Sequence, residues 1–249
     1  MAGPRNFYDE LWKVKNSSSP AAGRGKRDWF HRWFLDWLID PGAHTRHELA
    51  ARMLPSSGGS LLDIGCGNGE SLALMGVPGK FTKVCGVDIS GEAIAAARAK
   101  GIDAAVIDLN GASLPFESGS FDCVTILAVL EHLFDPHHVL REIRRVLKEG
   151  GTLVINVPNA ASFSNRLRIL FGRAPVTSYD PGWDGGHLHY FTPRDLKKAL
   201  REHGFTVVGR GASGGGQWIR MLFLSLSGEF LFRCVKRSDS SAGASRHCG

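Results

Sequence analysis

Long hydrophobic runs, secretory leader features and paired cysteines are all scarce in the 249-residue sequence. No apolar run approaches the ~20 residues that a membrane-spanning helix needs, and no charged-then-apolar segment marks a signal peptide. The five cysteines are an odd number without CxxC or His/Cys ligand spacing. We therefore expect a cytoplasmic protein with reduced thiols, no metal ion and no transmembrane segment.

The sequence also lacks a strong excess of charge of one sign. The formal net charge is only +6, and basic residues alternate with acidic ones along most of the chain. An extended basic domain, which nucleic-acid binding would favour, is missing, so we expect no nucleic-acid partner. The sequence does have enough apolar residues, at 43% of its positions, to bury one substantial core.

Composition divides the chain into four segments. Residues 1–27 include NSSSPAAGRGKR, whose Ser, Gly and Pro content predicts a flexible segment. Residues 28–57 begin with DWFHRWFLDWLI, whose aromatic residues recur at helical spacing and would either pack into the core or cover a substrate pocket as a helical lid. We predict that residues 28–57 form a helical lid. Residues 58–237 hold the main domain, and the Ser/Gly-rich residues 238–249 are expected to be a disordered tail.

Within the main domain, short apolar runs alternate with helical patterns. This alternation is typical of an α/β fold with a doubly wound, mostly parallel sheet and helices on both faces. The predicted strands are seven: 60–64, 82–88, 103–107, 121–127, 151–157, 205–211 and 229–236. The predicted helices are 44–53, 69–76, 90–100, 136–149 and 193–203.

The most informative stretch is LLDIGCGNGE, in which the first predicted strand ends at Asp63 and breaks into Gly65, Gly67 and Gly69. Glycines at alternate positions are expected where a buried strand turns sharply into a helix. Without side chains the turn leaves room for a nucleoside, and the N–H groups that open the helix can face an anionic group. The turn therefore predicts a site for a nucleotide-like cofactor.

Two further carboxylates fall at the carboxyl ends of neighbouring predicted strands. Asp88 lies 23 residues after Gly65, close to the ~20 expected for a carboxylate that holds ribose hydroxyls. Asp108 ends the third strand, at the sheet edge where open α/β folds bind ligands. Either side chain would alternatively cap a turn. A dinucleotide cofactor is disfavoured because Glu70 stands where the last glycine of G-x-G-x-x-G would be.

Together these motifs resemble those of class I S-adenosylmethionine-dependent methyltransferases. The matching stretches are LLDIGCGNGE, VCGVDIS, the turn at Asp108, LPFESGSFDCVTILAVLEHL and EGGTLVINVPN, in family order over about residues 58–210. The resemblance is closest to the broad group of ubiquinone-type and other small-molecule methyltransferases. It implies a Rossmann-like fold, S-adenosyl-L-methionine as cofactor, and methyl transfer to a hydroxyl oxygen of a small-molecule acceptor.

Two other functions stay open at this point. A non-catalytic methyltransferase-like protein could keep the fold to bind or regulate a partner, and a nicotinamide-dependent oxidoreductase would share the strand-to-helix glycine turn.

The resemblance also implies roles for individual residues. The glycine turn would enclose the methionine part and the ribose, and the carboxylate before it would orient the cofactor's amino end. Asp88, at the end of the second strand, would hold the ribose hydroxyls, and Asp108, at the end of the third strand, would accept a hydrogen bond from the adenine amino group. The backbone after the fourth strand would meet the methionyl amine. The implied cofactor-binding residues are Asp63, Gly65, Gly67, Gly69, Asp88, Ile89, Asp108, Leu109, Leu127 and Ala128.

A hydroxyl acceptor must lose a proton, and histidine is the usual base near neutral pH. His132 follows the fourth strand, and His187 and His189 lie in the loop DPGWDGGHLHYFTP, within a predicted insert of residues 160–192 that would contribute to the substrate site. All three are candidate catalytic residues. A hydrogen-bonded structural role is the alternative for each.

The same insert carries SFSNRLRILFGRAP, in which arginines accompany apolar residues at helical spacing. Such a basic amphipathic helix is either solvated with one buried face or a contact for an anionic or lipid-linked acceptor and a membrane surface. Its arginines are Arg166, Arg168 and Arg173.

Overall fold

The protein is described by a computed structural model over residues 45–178, 183–213 and 224–238. Its centre is a seven-stranded sheet. The strands are β1 (Ser60–Ile64), β2 (Lys83–Asp88), β3 (Asp103–Val106), β4 (Phe121–Leu127), β5 (Leu147–Pro158), β6 (Phe205–Ser213) and β7 (Glu229–Lys236). They are ordered β3-β2-β1-β4-β5-β7-β6, and only β7 runs antiparallel to its neighbours. The predicted seven-stranded, mostly parallel sheet is confirmed.

Helices connect most of the strands, and their first turns are set by the sequence. Thr45, Ser90, Asp135, Ser162 and Thr192 each cap a helix by accepting the backbone N–H three residues later, which satisfies an otherwise unpaired donor. Within the described ranges no helix has the length and apolarity to cross a bilayer. The helices are α1 (Arg46–Met53), α2 (Glu70–Leu74), α3 (Gly91–Ala99), α4 (Pro136–Val146), α5 (Phe163–Leu170) and α6 (Pro193–Glu202), with 3₁₀ turns at Leu130–His132, Trp183–Gly186 and Leu224–Leu226.

The core lies on both faces of the sheet because side chains alternate along each strand. Leu62 and Ile64 of β1 join the large cluster formed with α4 and α6, whereas Leu61 joins the cluster formed with α1 and α2. Covering both faces in this way explains why the central strands read as nearly continuous apolar runs. The doubly wound α/β fold is therefore confirmed.

The predicted boundary between the fourth helix and the fifth strand is wrong by more than two residues. The helix predicted over residues 136–149 ends at Val146, and Leu147 adopts an extended conformation and starts β5. Leu147 pairs with Phe121 of β4 before the register shifts to pair Cys123 with Thr152. Strand pairing thus overrides the local helical pattern, and the strand predicted over 151–157 is twelve residues long.

Only part of the predicted lid segment 28–57 is described. In that part, α1 packs on the sheet, with the Arg46 guanidinium 2.7 Å from the Glu229 carboxylate and Met53 Cε 2.8 Å from the position that a Cβ on Gly211 would take. The aromatic stretch 29–38, the flexible segment 1–27 and most of the tail 238–249 lie outside the described residues. The lid stays a prediction.

Two long connections leave and rejoin the sheet at its carboxyl edge. The first begins after β5 and closes where Asn159 bridges Phe191, and it covers the predicted insert 160–192. The second leaves β6 at Ser213 and returns at Glu229, which pairs with both Ser213 and Pro158. The sheet edge that holds the predicted cofactor residues is therefore also where both connections begin and end.

Candidate active site

A cleft lies at the carboxyl ends of β1 to β4. It encloses about 930 Å³ of space, including its mouth, which is open to solvent. Its wall comes from loops after four successive strands, where open α/β sheets bind ligands. The lining residues are Gly65, Asp88, Ile89, Ile107, Asp108, Leu109, Asn110, Leu127, Ala128, Val129, His132, Leu133 and Gly185.

The three glycines of the turn after β1 all have positive φ, and each has a different neighbour. A Cβ on Gly65 would lie 2.2 Å from Val129 Cγ2, and one on Gly69 would lie 2.1 Å from Ile102 Cδ1. Gly67 has φ +52 and no atom within 4 Å of its Cβ position. All three positions favour glycine because of their positive φ; Gly65 is also required by its close approach to Val129, and Gly67 faces open space.

Asp88 and Asp108 face the same cleft, as their strand-end positions predict. Asp88 Oδ2 accepts the N–H of Gly67 at 2.9 Å and Oδ1 accepts that of Ser90 at 2.9 Å, so this carboxylate also holds the glycine turn in place. Asp108 Oδ1 accepts the N–H of Asn110 at 3.0 Å. Both side chains therefore shape a local turn and present negative charge to the cleft.

Asp63 lies behind the glycine turn and is 2% exposed. Its Oδ1 accepts the Thr125 hydroxyl at 2.6 Å, whereas Oδ2 has no hydrogen-bond partner among the described residues. Burial raises the pKa of Asp63 to about 7, against the hydrogen bond from Thr125 and with a contribution from the negative charge of Asp88. A buried carboxyl oxygen without a partner is a feature that a cationic ligand group would satisfy.

The backbone at the end of β4 is strained. Ala128 has φ +55, a left-handed conformation that costs an alanine about 1–2 kcal/mol. Its N–H donates to the Asn156 carbonyl at 3.1 Å, and both Ala128 and Leu127 line the cleft. Strain of this kind is commonly retained at functional sites.

A compact group of Glu131, His132 and His187 adjoins the cleft. The two imidazole rings meet edge to face with centroids 4.7 Å apart, and His187 Nε2 lies 3.9 Å from Glu131 Oε1. Glu131 is 1% exposed, and neither carboxyl oxygen has a hydrogen-bond partner among the described residues. Burial raises the pKa of Glu131 to about 8. One donor atom from each residue lies within 4.8 Å of the others, so three titratable groups converge beside the cleft.

His187 is anchored on its other side. Its Nδ1 lies 2.6 Å from the Thr177 hydroxyl, which lies 2.5 Å from Asp184 Oδ2. His132 lines the cleft, with its Nδ1 3.3 Å from the Gly186 carbonyl oxygen. The structure thus brings His132 and His187 together, although they are far apart in the sequence.

His189 is placed differently from the other two candidates. Its backbone N–H donates to the Glu131 carbonyl at 3.1 Å, and its ring lies beside Phe191 with centroids 6.2 Å apart. The backbone of His189 therefore helps join the insert to the end of β4, while its ring is outside the set that lines the cleft.

A family model described as a methyltransferase domain matches residues 34–209. The chain belongs to this methyltransferase family. Its sequence motifs and sheet topology make it a class I S-adenosylmethionine-dependent methyltransferase, as the resemblance implies.

Curated relatives of this methyltransferase include the "Ubiquinone biosynthesis O-methyltransferase" of Xanthomonas oryzae pv. oryzae, which is 29% identical over 212 residues, covering 76% of this chain and 84% of the relative. A solved structure described as a possible histamine N-methyltransferase of Thermotoga maritima has a TM-score of 0.62 at 18% identity, covering 91% of this chain and 98% of that one. The [4+2]-cyclase SpnF has a TM-score of 0.63 at 19% identity, covering 94% and 95%. The two structural likenesses support the fold.

S-adenosylmethionine is the cofactor of this family, and the residues present fit it. The unpartnered Asp63 oxygen suits an ammonium group, the open side of Gly67 leaves room for a ligand, and Asp88 provides a carboxylate on the cleft. These are the chemical requirements of a ligand that combines an amino acid, a ribose and a base.

Several lining and supporting residues were missed by sequence reasoning. Asn110 and Leu133 line the cleft, and the side-chain oxygen of Asn110, in the loop after β3, accepts the Phe134 N–H at 2.8 Å. Thr177 and Asp184 carried no recognisable motif. The position of Asp184 directly before the glycine pair Gly185-Gly186 was the only available sequence signal for it.

Proposed function

We propose that this methyltransferase transfers a methyl group to a hydroxyl oxygen of an apolar small molecule. The observation that carries this proposal is a histidine-carboxyl group, Glu131, His132 and His187, directly beside the cofactor cleft. A group that can accept a proton is needed for a hydroxyl acceptor, whose oxygen is a poor nucleophile until its proton is removed. The ubiquinone-type O-methyltransferase relatives give the same proposal independent support.

In this proposal the cofactor is held by residues of the first four strands. Asp88 binds the ribose hydroxyls, Asp108 and the Leu109 backbone meet the adenine, and Asp63 faces the ammonium group through the glycine turn. Ile89 packs beside the ribose, and backbone at Leu127 and Ala128 meets the methionyl part. When bound, S-adenosylmethionine supplies a methyl group already activated on a sulfonium, so the chain mainly has to align the acceptor and exclude water.

We assign the proton acceptor to Nε2 of His187. The imidazolium that forms there has the Glu131 carboxyl 3.9 Å away and a carboxylate, Asp184, behind Thr177 on its other side. Nδ1 of His132, by contrast, lies 3.3 Å from the neutral Gly186 carbonyl oxygen. The acceptor hydroxyl would give its proton to Nε2 of His187 while its oxygen took the methyl group that bound S-adenosylmethionine would supply, with the cofactor leaving as a neutral thioether.

The test is methyl transfer from radiolabelled cofactor to a panel of pure acceptors: prenylated catechols, unprenylated catechols, reducing sugars and primary amines. We expect base-stable label in the catechols, with prenylated compounds preferred. Label confined to amines would contradict O-methylation. Tight cofactor binding with no transfer to any class would favour the non-catalytic alternative.

The acceptor's apolar character is supported by the surface of α5. Only Asn165 is buried in this helix, so the interpretation of a solvated helix with one apolar face in the core does not fit. Arg166, Arg168 and Arg173 lie in this helix and directly after it, in the same stretch as the exposed apolar residues. These exposed residues are Phe163, Leu167, Ile169, Leu170 and Phe171, of which Leu170 and Phe171 are 74% and 75% exposed. An exposed apolar patch with arginines suits an anionic lipid surface.

We therefore expect the protein to co-sediment with vesicles that contain anionic lipid, and less with zwitterionic vesicles. Replacing Arg166 and Arg173 by glutamine should weaken binding by about fivefold for each charge. The double variant Leu170→Ser/Phe171→Ser should weaken it about tenfold or more. Val208→Ser, at another exposed apolar residue on β6, is the matched control and should bind as the wild type does. Equal binding of all variants would exclude α5 as the contact.

A further inference from the structure

Beyond the histidines, the insert contains a buried hydrogen-bond chain that the sequence did not reveal. It runs from Asp184 through the Thr177 hydroxyl to Nδ1 of His187, with contacts of 2.5 and 2.6 Å. Nε2 of the same ring lies 3.9 Å from Glu131 Oε1. The chain of contacts therefore ends at the atom to which we assign the acceptor's proton.

The direction of each hydrogen bond follows from counting protons. Asp184 Oδ1 accepts the backbone N–H groups of Thr177 at 2.7 Å and Ser178 at 2.8 Å. Burial alone would raise the pKa of Asp184, but the hydrogen bonds from Thr177 and Ser178 outweigh it and lower the pKa. Asp184 is thus ionised and can only accept, so the single proton of the Thr177 hydroxyl points to it. The hydroxyl oxygen is then left to accept a proton from Nδ1.

The backbone around Asp184 is strained in a way that serves this contact. Asp184 has φ +46 and ψ +40, and Gly185 and Gly186 continue in positive φ. Three successive residues of this kind turn the chain so that the carboxylate faces Thr177, seven residues earlier. Aspartate and asparagine tolerate this conformation better than other residues with a side chain, which makes asparagine a fitting replacement here.

We propose that Thr177 and Asp184 are positioning residues that keep the ring proton of His187 on Nδ1, so that Nε2 presents its lone pair toward Glu131 and the acceptor side. This inference rests on the proposed function for its catalytic meaning, although the tautomer itself is measurable without any substrate. The arrangement has the logic of a carboxylate that orients a catalytic histidine, with a threonine hydroxyl placed between the two groups.

Asp184→Asn is a specific test because it exchanges the donor and acceptor roles along the hydrogen bonds from residue 184 to His187, while the side chain keeps nearly the same shape. The two backbone N–H groups require the amide oxygen on their side, so the amide NH₂ would face Thr177 and donate to it. The threonine hydroxyl would then donate to Nδ1, and the ring proton would move to Nε2. Thr177→Ser keeps the hydroxyl and should keep the wild-type tautomer, whereas Thr177→Val removes it.

The measurement is two-bond ¹H–¹⁵N correlation of the histidine rings at mildly alkaline pH, with the His187 signals assigned by their loss in His187→Gln. We expect protonated Nδ1 in the wild type and Thr177→Ser, and protonated Nε2 in Asp184→Asn. Turnover of Asp184→Asn should fall about 10²- to 10⁴-fold with KM for the cofactor unchanged, and Thr177→Ser should restore most of the rate that Thr177→Val loses.

A wild-type ring protonated on Nε2, or an Asp184→Asn ring with the wild-type tautomer, would overturn the inference. Circular dichroism and thermal melting identify a variant that has failed to fold, and Thr177→Ser supplies the comparison in that case. If the tautomers are as expected but no acceptor is methylated, the positioning chain stands and the proposed O-methylation falls.

Discussion

His187→Gln is expected to lower the turnover number by about 10²- to 10⁴-fold, the usual contribution of a general base. Glutamine can still reach the Thr177 hydroxyl with its amide group, so the insert should stay folded, but it cannot take a proton from the acceptor. The dissociation constant of S-adenosylmethionine should change little, because His187 is not among the residues that line the cleft. Single-turnover methyl transfer at saturating cofactor, combined with calorimetric titration of the cofactor, measures both quantities.

Two neighbouring histidines serve as matched controls for this variant. The His189 ring lies beside Phe191, so His189→Gln should alter turnover by only about twofold. His132→Gln should have an intermediate effect, because His132 lines the cleft and contacts the His187 ring. A large loss in His132→Gln together with a normal rate in His187→Gln would move the proton acceptor to His132.

Cofactor affinity is expected to fall by about tenfold for each pH unit below 7, and Asp63→Asn should remove most of this dependence. Burial raises the pKa of Asp63 to about 7, so without the cofactor's ammonium group the carboxyl is largely protonated below that pH. The cofactor's ammonium group favours the ionised form of Asp63, so binding releases the carboxyl proton. Releasing this proton costs more free energy as the pH falls, and the affinity for the cofactor therefore decreases. Above pH 7 Asp63 is already ionised, and its contribution levels off.

Calorimetric titration between pH 5.5 and 7.5, in buffers of different ionisation enthalpy, counts the released proton directly. Asp63→Asn should bind about 10- to 100-fold more weakly at neutral pH, with no release from this position. Methylthioadenosine, which has the nucleoside without the ammonium group, should bind with little pH dependence. Thr125→Val removes the hydrogen bond that lowers the pKa of Asp63, so it should move the transition to higher pH. A pH-independent affinity in the wild type would contradict the assignment of Asp63.

The parts of the fold that sequence reasoning predicted correctly are those whose signals are local. Buried strands read as apolar runs, and the glycine turn after β1 follows from three residues that need positive φ. The end of α4 was mispredicted because it depends on the pairing of Leu147 with Phe121, which lies far away in the sequence. A local sequence pattern cannot show whether residues continue a helix or instead pair with a neighbouring strand.

The candidate site likewise contains residues that the sequence could place and residues that it could not. Asp88 and Asp108 could be placed at one cleft because parallel strands bring their carboxyl ends to one edge. The approach of His187 to His132 depends on the N–H groups of Leu188 and His189, which both donate to the Glu131 carbonyl. The link from Thr177 to Asp184 depends on a strained turn. Neither follows from residue spacing, because both arise from how a long connection folds back on the sheet.

The two connections that start and finish at the carboxyl edge have a structural consequence. One is closed at its base by Asn159 and Phe191, and the other by Ser213 and Glu229. Because each departs and returns at adjacent backbone positions, a change in the length of either connection need not shift the strand register that places Asp88 and Asp108 at the cleft. The four strands whose ends form the cleft can therefore keep their architecture when either connection changes in length.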